Sequence, residues 1–211
     1  MITKTFSKLA AFAAMSLLIG GAFLSATNAR AQCPPCTCPP PPIDDYNHDT
    51  TTIPWQDSSV CVNIDGCEVK ICYIYRQTSP GQFDYGIDQI CWWATCATDS
   101  ATLLKDASHW LMNNNPSHFP CPTCPSSDIE WNENFISCWQ YYFYIDLATD
   151  SVVKVLTPCP QHGWCINGYL VCCDKTGEHF TLITQATKPC PEGQQGCIDL
   201  GQTLCPAILP R

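Results

Sequence analysis

All 18 cysteines of the chain lie beyond residue 32, behind a segment built like an export signal. Lys4 and Lys8 form a short basic start, and residues 9–24 are apolar apart from Ser16. Ala29-Arg30-Ala31 then places small residues at the two positions a signal peptidase reads. Such a segment is removed rather than folded, so residues 1–31 read as a signal peptide and Gln32 as the first exported residue. An even cysteine count in a chain marked for an oxidising compartment implies a disulfide framework. Cys33, Cys36, Cys38, Cys61, Cys67, Cys72, Cys91, Cys96, Cys121, Cys124, Cys138, Cys159, Cys165, Cys172, Cys173, Cys190, Cys197 and Cys205 are all assigned to it. Their connectivity does not follow from spacing alone.

The same features set the expected location: secreted, extracellular or at the cell surface, with the periplasm as the alternative. Cys33 follows Gln32 rather than a small residue, which argues against a lipid anchor, and no later segment has the length of a membrane helix. Loss of Lys4, Lys8 and Arg30 with the signal takes the formal charge from −9 to −12 and leaves the cations scattered. Nucleic acid and anionic membranes require a basic patch, so neither is expected as a partner. A protein or carbohydrate at an extracellular surface is, with self-association beside it. No cofactor motif occurs, and none is expected to be bound.

Residues 32–54 are rich in Pro, Asp, Thr and Asn, and "CPPCTCPPPP" (33–42) closes on a polyproline run. Prolines in series favour an extended, semi-rigid chain, so this region reads as a Pro-rich, cysteine-containing linker or stalk ahead of a domain at 55–211. Two lobes divided near 116–125 are the alternative to one domain. "VCVNIDGCEVKICYIYR" (60–76) is two alternating runs around Asp65-Gly66, a strong hairpin signal. That register sets Ile64 opposite Cys67 and Val62 opposite Val69, and puts Val60, Val62, Ile64, Cys67, Val69, Ile71, Tyr73 and Tyr75 on a core face. Cys61 and Cys72 fall on the other face, where they either pair together or each clamp an overlying segment.

A helix is expected at about 98–113, capped by Thr98, Asp99 or Ser100, with Leu103, Leu104, Ala107, Trp110 and Leu111 as its apolar stripe. "ICWWATC" before it fits either a strand or a first helical turn. A second hairpin is expected in 138–159, with Trp139, Tyr141, Phe143 and Ile145 facing one way. A third spans 168–184, where Asp174 and Gly177 suit a type I turn with a glycine bulge. The fold class is therefore mainly β: antiparallel hairpins in a small disulfide-stapled domain with one packed helix.

Chemistry-bearing patterns are sparse. Cys33, Cys36, Cys121 and Cys124 could supply four thiolates to a structural metal, but neither Cys-x-x-Cys opens a helix and export favours their oxidation. With a bulged third hairpin Cys173 faces His179, the weak candidate for a thiol nucleophile beside its base. There is no His-Glu-x-x-His and no Gly-x-Ser-x-Gly. Aromatics are the remaining lead: Tyr142 and Tyr144 point opposite to Trp139 and Phe143, and with Trp92, Trp93 and Trp164 they are the candidate ligand-binding residues. The expected function is a non-catalytic extracellular binding, adhesion or assembly protein, with intermolecular links through the N-terminal cysteines as its structural version. A secreted hydrolase with a site assembled from distant acidic or Cys/His residues is the alternative.

Overall fold

The computed structural model describes residues 33–40, 53–126, 128–160, 163–193 and 195–201. Its strands are β1 (Gln56–Ile64), β2 (Cys67–Ser79), β3 (Gln82–Trp93), β4 (Ile129–Ile136), β5 (Cys138–Asp146), β6 (Ser151–Pro158), β7 (Trp164–Asp174), β8 (Gly177–Lys188) and β9 (Cys197–Asp199), with one helix, α1 (Ser100–Asn114). All nine strands join in one sheet, mainly antiparallel, as the alternating runs imply.

The β1–β2 hairpin has the expected register, Ile64 against Cys67 and Val62 against Val69. Asp65 and Gly66 turn it with positive φ, 50° and 82°, the backbone that a type I′ turn requires and that Asp-Gly tolerates best. Val62, Ile64, Val69, Ile71 and Tyr73 are buried on the expected core face. A third strand then follows: β3 pairs along β2 from Ser79↔Gln82 to Val69↔Trp92, so "ICWWATC" begins as strand.

The other edge of β3 is shared, and there the sheet forks. Residues 82–86 pair in parallel with β4, and residues 90–93 pair antiparallel with β6. At the join Gly86 lets the Asn134 carbonyl approach where a Cβ would sit 2.7 Å from it. A parallel pair needs a crossover, usually a helix, and α1 is the crossover between β3 and β4. Asp99 caps it, accepting from the Thr102 N–H at 3.0 Å, and Asn115 ends it in the left-handed region with φ 42°. Leu103, Leu104, Ala107, Leu111 and Met112 are buried against the sheet, while Trp110 of the expected stripe is only partly covered.

The opposite face is covered by residues 33–40. Cys33 bonds Cys61 in β1, Cys36 bonds Cys91 in β3, and Cys38 bonds Cys72 in β2. The reading of Cys61 and Cys72 as separate clamps on an overlying segment is thus the right one of the two. Lys70 Nζ donates to the Cys36 carbonyl at 2.6 Å and Gln89 Nε2 to the Thr37 carbonyl at 3.0 Å. For residues 33–40 the linker reading is corrected: this piece is a strap in the domain's second layer, because three strands offer cysteines on one face. The rest of the expected linker, 41–52, lies outside the described residues, as do the signal segment and Cys205. From Cys33 onward the described chain forms one compact unit.

Four further bonds, Cys67–Cys96, Cys121–Cys173, Cys124–Cys172 and Cys138–Cys190, staple the helix start, the 121–124 loop and the C-terminal segment. Cys159–Cys197 holds β9 beside β5, and Cys165 is disulfide-bonded as well. No described cysteine is free. No helix among the described residues is long and apolar enough to cross a membrane.

Candidate functional site

The β5–β6 hairpin stands at the rim of the sheet. β6 is joined to β3 only from Leu156 to Val153, and β9 covers the outer edge of β5 only at Cys138, Trp139 and Gln140. Beyond Gln140 no strand lies on that outer edge among the described residues. Trp139 is fully buried. Tyr141 still reaches the body, its hydroxyl hydrogen-bonded to Ser100 Oγ at the start of α1 and its ring edge-on to Trp92. Past that point the cover ends. Phe143 is 76% exposed, Ile145 58% and Leu147 92%, and Val152, paired with Ile145, is exposed too. On the reverse side Tyr142 is half exposed and donates from its hydroxyl to Gln89 Oε1 at 3.3 Å.

This differs from the expected aromatic site. Trp92 is 1% exposed, locked in the helix-side core. Trp93 and Tyr144 pack on the Cys36–Cys91 staple with Val153 and Val155. Trp164 starts β7, opposite Lys188, well away in the strand order. Tyr142 and Tyr144 both lie on the arm, only Tyr142 of the five is exposed, and the arm's open face is the one carrying Phe143 and Ile145. Alternation identified the two faces of β5 correctly. It did not reveal that α1 begins beside Tyr141 and leaves the outer half of the same face uncovered.

The Cys–His pair is also rearranged. Asp174 pairs directly with Gly177, so His179 lies opposite Cys172, and Cys173 opposite Glu178. The bulge is absent because the Asp174 carboxylate accepts from both the Thr176 N–H (2.7 Å) and hydroxyl (2.6 Å), tightening the turn. Cys173 is bonded to Cys121, which leaves no thiol there to act as a nucleophile. Asp174 and His179 pair at 3.0 Å on the surface. The Thr176 hydrogen bonds, then His179, hold the Asp174 carboxyl well below its usual range. Cys33, Cys36, Cys121 and Cys124 are not brought together: each is bonded to a cysteine outside that set.

One buried polar cluster has no counterpart among the motifs of the sequence. Glu133, 1% exposed, sits under α1. Ser108 Oγ donates to its Oε1, and Asn167 Nδ2 to its Oε2 at 3.2 Å. Gln185 Nε2 in turn donates to Asn167 Oδ1 at 3.1 Å. Burial pushes the Glu133 carboxyl up to about 7, against the opposing pull of the Ser108 and Asn167 hydrogen bonds. Burial, and then the Glu133 charge, raise the phenols of Tyr85 and Tyr169 beside it. The signal was Glu133 in alternation with Trp131 and Phe135, but a polar residue at a core position reads as the end of a strand until its partners are known. Glu133 is sealed from solvent, so it acts as a peg between α1, β4 and β7. A cleft lined by Tyr73, Tyr85, Leu111 and Trp131 has room for about one water.

Comparison with protein-family models, with curated proteins and with solved structures found no match to this chain.

Proposed function

We propose that this is an exported, non-catalytic binding or assembly protein whose contact surface is the β5–β6 arm. One observation carries the reading: an apolar row, Phe143, Ile145, Leu147 and Val152, is left exposed on a strand whose outer edge is also open among the described residues. Contiguous exposed apolar surface of this kind marks interaction sites, and an unpaired strand edge invites another strand. The disulfide framework supports placement outside the reducing cytosol. The N-terminal cysteines are not the contacts, since Cys33, Cys36 and Cys38 are all bonded within the chain.

The test is a photo-crosslinking side chain at position 143 of the secreted protein, against the same group at exposed Lys175 on the β7–β8 turn. Adducts formed from 143 and absent from 175 are expected. Equal labelling at both, or none at 143, contradicts the reading.

A further inference from the structure

We infer that the arm's partner is a second copy of this chain, joined by antiparallel pairing of β5 with β5 about a two-fold axis through Phe143. The inference rests on the arm being the contact surface, and it names the occupant.

Among the described residues the open window on β5 has defined ends. β9 occupies the edge through Gln140, and the turn begins after Asp146, which closes the hairpin against Ser151. Residues 141–145 remain, and their midpoint is Phe143. An antiparallel copy centred there pairs along the whole window, from the end of β9 to the start of the turn. Tyr142 then faces Tyr144 of the copy, Tyr141 faces Ile145, and Phe143 faces itself. Cross-strand aromatic and aromatic–aliphatic pairs are the favourable kind, and the segment Tyr-Tyr-Phe-Tyr-Ile is close to palindromic. A two-fold perpendicular to the sheet joins like faces, so the exposed row of one copy continues into that of the other.

Charge selects the same occupant. The chain carries a formal −9, and like charge disfavours contact between copies over most of its surface. Residues 139–145 carry no charge at all. In this register the two Asp146 residues, each just past Ile145, lie at opposite ends of the window, so the acidic turns are kept apart. Lys154, paired with Phe143 within the hairpin, stands two strands from the axis. Pairing over five residues makes a small contact, of the weak and transient kind. The expected species is a dimer that forms with rising concentration.

The experiment is sedimentation equilibrium on the oxidised secreted chain from low micromolar to about 1 mM, beside F143D and F143K. Each variant's disulfide set is checked by mass before and after reduction. Wild type is expected to shift from monomer to dimer. Each variant alone is expected to dimerise more than tenfold more weakly, because like charges face each other across the axis. An equimolar mixture of the two is expected to dimerise again, since Asp then faces Lys. A wild-type chain that stays monomeric throughout overturns self-pairing. If position 143 still crosslinks to another protein in that case, the arm survives as a contact surface and only its occupant was wrong. Dimerisation that persists in both variants overturns the placement at β5.

Discussion

The strap at residues 33–40 and the loop at residues 121–124 share the Cys-x-x-Cys spacing and use it in different ways. The strap lies over a sheet face, and its three cysteines reach three different strands. The loop lies in the plane of the sheet. Cys173 N–H donates to the Pro122 carbonyl at 2.7 Å and Cys124 N–H to the Cys173 carbonyl at 3.0 Å, so the loop continues the edge of β7 where β4 ends. An in-plane neighbour has access to both faces of a strand. Cys121 and Cys124 therefore take Cys173 and Cys172, which point to opposite faces. Adjacent Cys172 and Cys173 are thus both tied to this one loop. Equal spacing thus gives cross-strand fastening in one place and duplicate fastening in the other.

The duplication has the largest measurable consequence. The two loop bonds close nearly the same stretch of chain, with sequence separations of 52 and 48. Replacing all four cysteines with Ser should cost about 4 kcal/mol in denaturant unfolding without reductant, the chain-entropy value for a loop of that size. Removing either bond alone should cost no more than about 1 kcal/mol, because the other keeps the loop closed. Single removals that each cost as much as the double one would end the distinction between strap and loop.

The region behind the loop leans on a polar anchor, which the second prediction weighs against covalent fastening. The Glu133 carboxyl is raised by burial to about 7 from an ordinary 4.5. The folded chain thus keeps a proton that the unfolded chain gives up between those values. That contribution is fully present below about pH 4.5 and is lost as pH rises through 7. Thermal unfolding should occur at lower temperature at about pH 8 than at about pH 5, with a loss on the order of 3 kcal/mol. Glu133→Gln should flatten that slope, and an unchanged slope would show that another group is responsible.

The strap bonds should act separately. Cys36→Ala with Cys91→Ala removes a buried pair packed with Val153 and Val155 and should cost about 2 kcal/mol, more than either loop bond alone. Limited proteolysis should then cut near residue 36 first. Smallest is Lys70→Met, which deletes the hydrogen bond to the Cys36 carbonyl and should cost about 1 kcal/mol. A near-zero value would leave the strap held by its disulfides alone.

Local chemistry alone is enough to specify the first hairpin and the helix. Asp65-Gly66 sets a register of period two, and Asp99 with the Leu103, Leu104, Ala107 and Leu111 stripe sets one of period 3.6. β4 is not legible in the same way, because Asn132, Glu133 and Asn134 interrupt its apolar pattern and find partners on β3, β7 and α1. The fork on β3 is hidden for a related reason: which strand takes each half of an edge depends on the crossover through α1, not on β3 itself.

By itself the sequence determined a disulfide framework, hairpins with their faces, and one helix, because each rests on composition or on neighbours a few residues apart. Only the tertiary structure decided which cysteine meets which, that residues 33–40 cover a sheet face, that Glu133 is sealed beneath α1, and that the aromatic strand emerges at Phe143. Those outcomes depend on contacts between residues tens of positions apart. Such contacts are set by how the sheet forks and where the helix begins, and no local period records either.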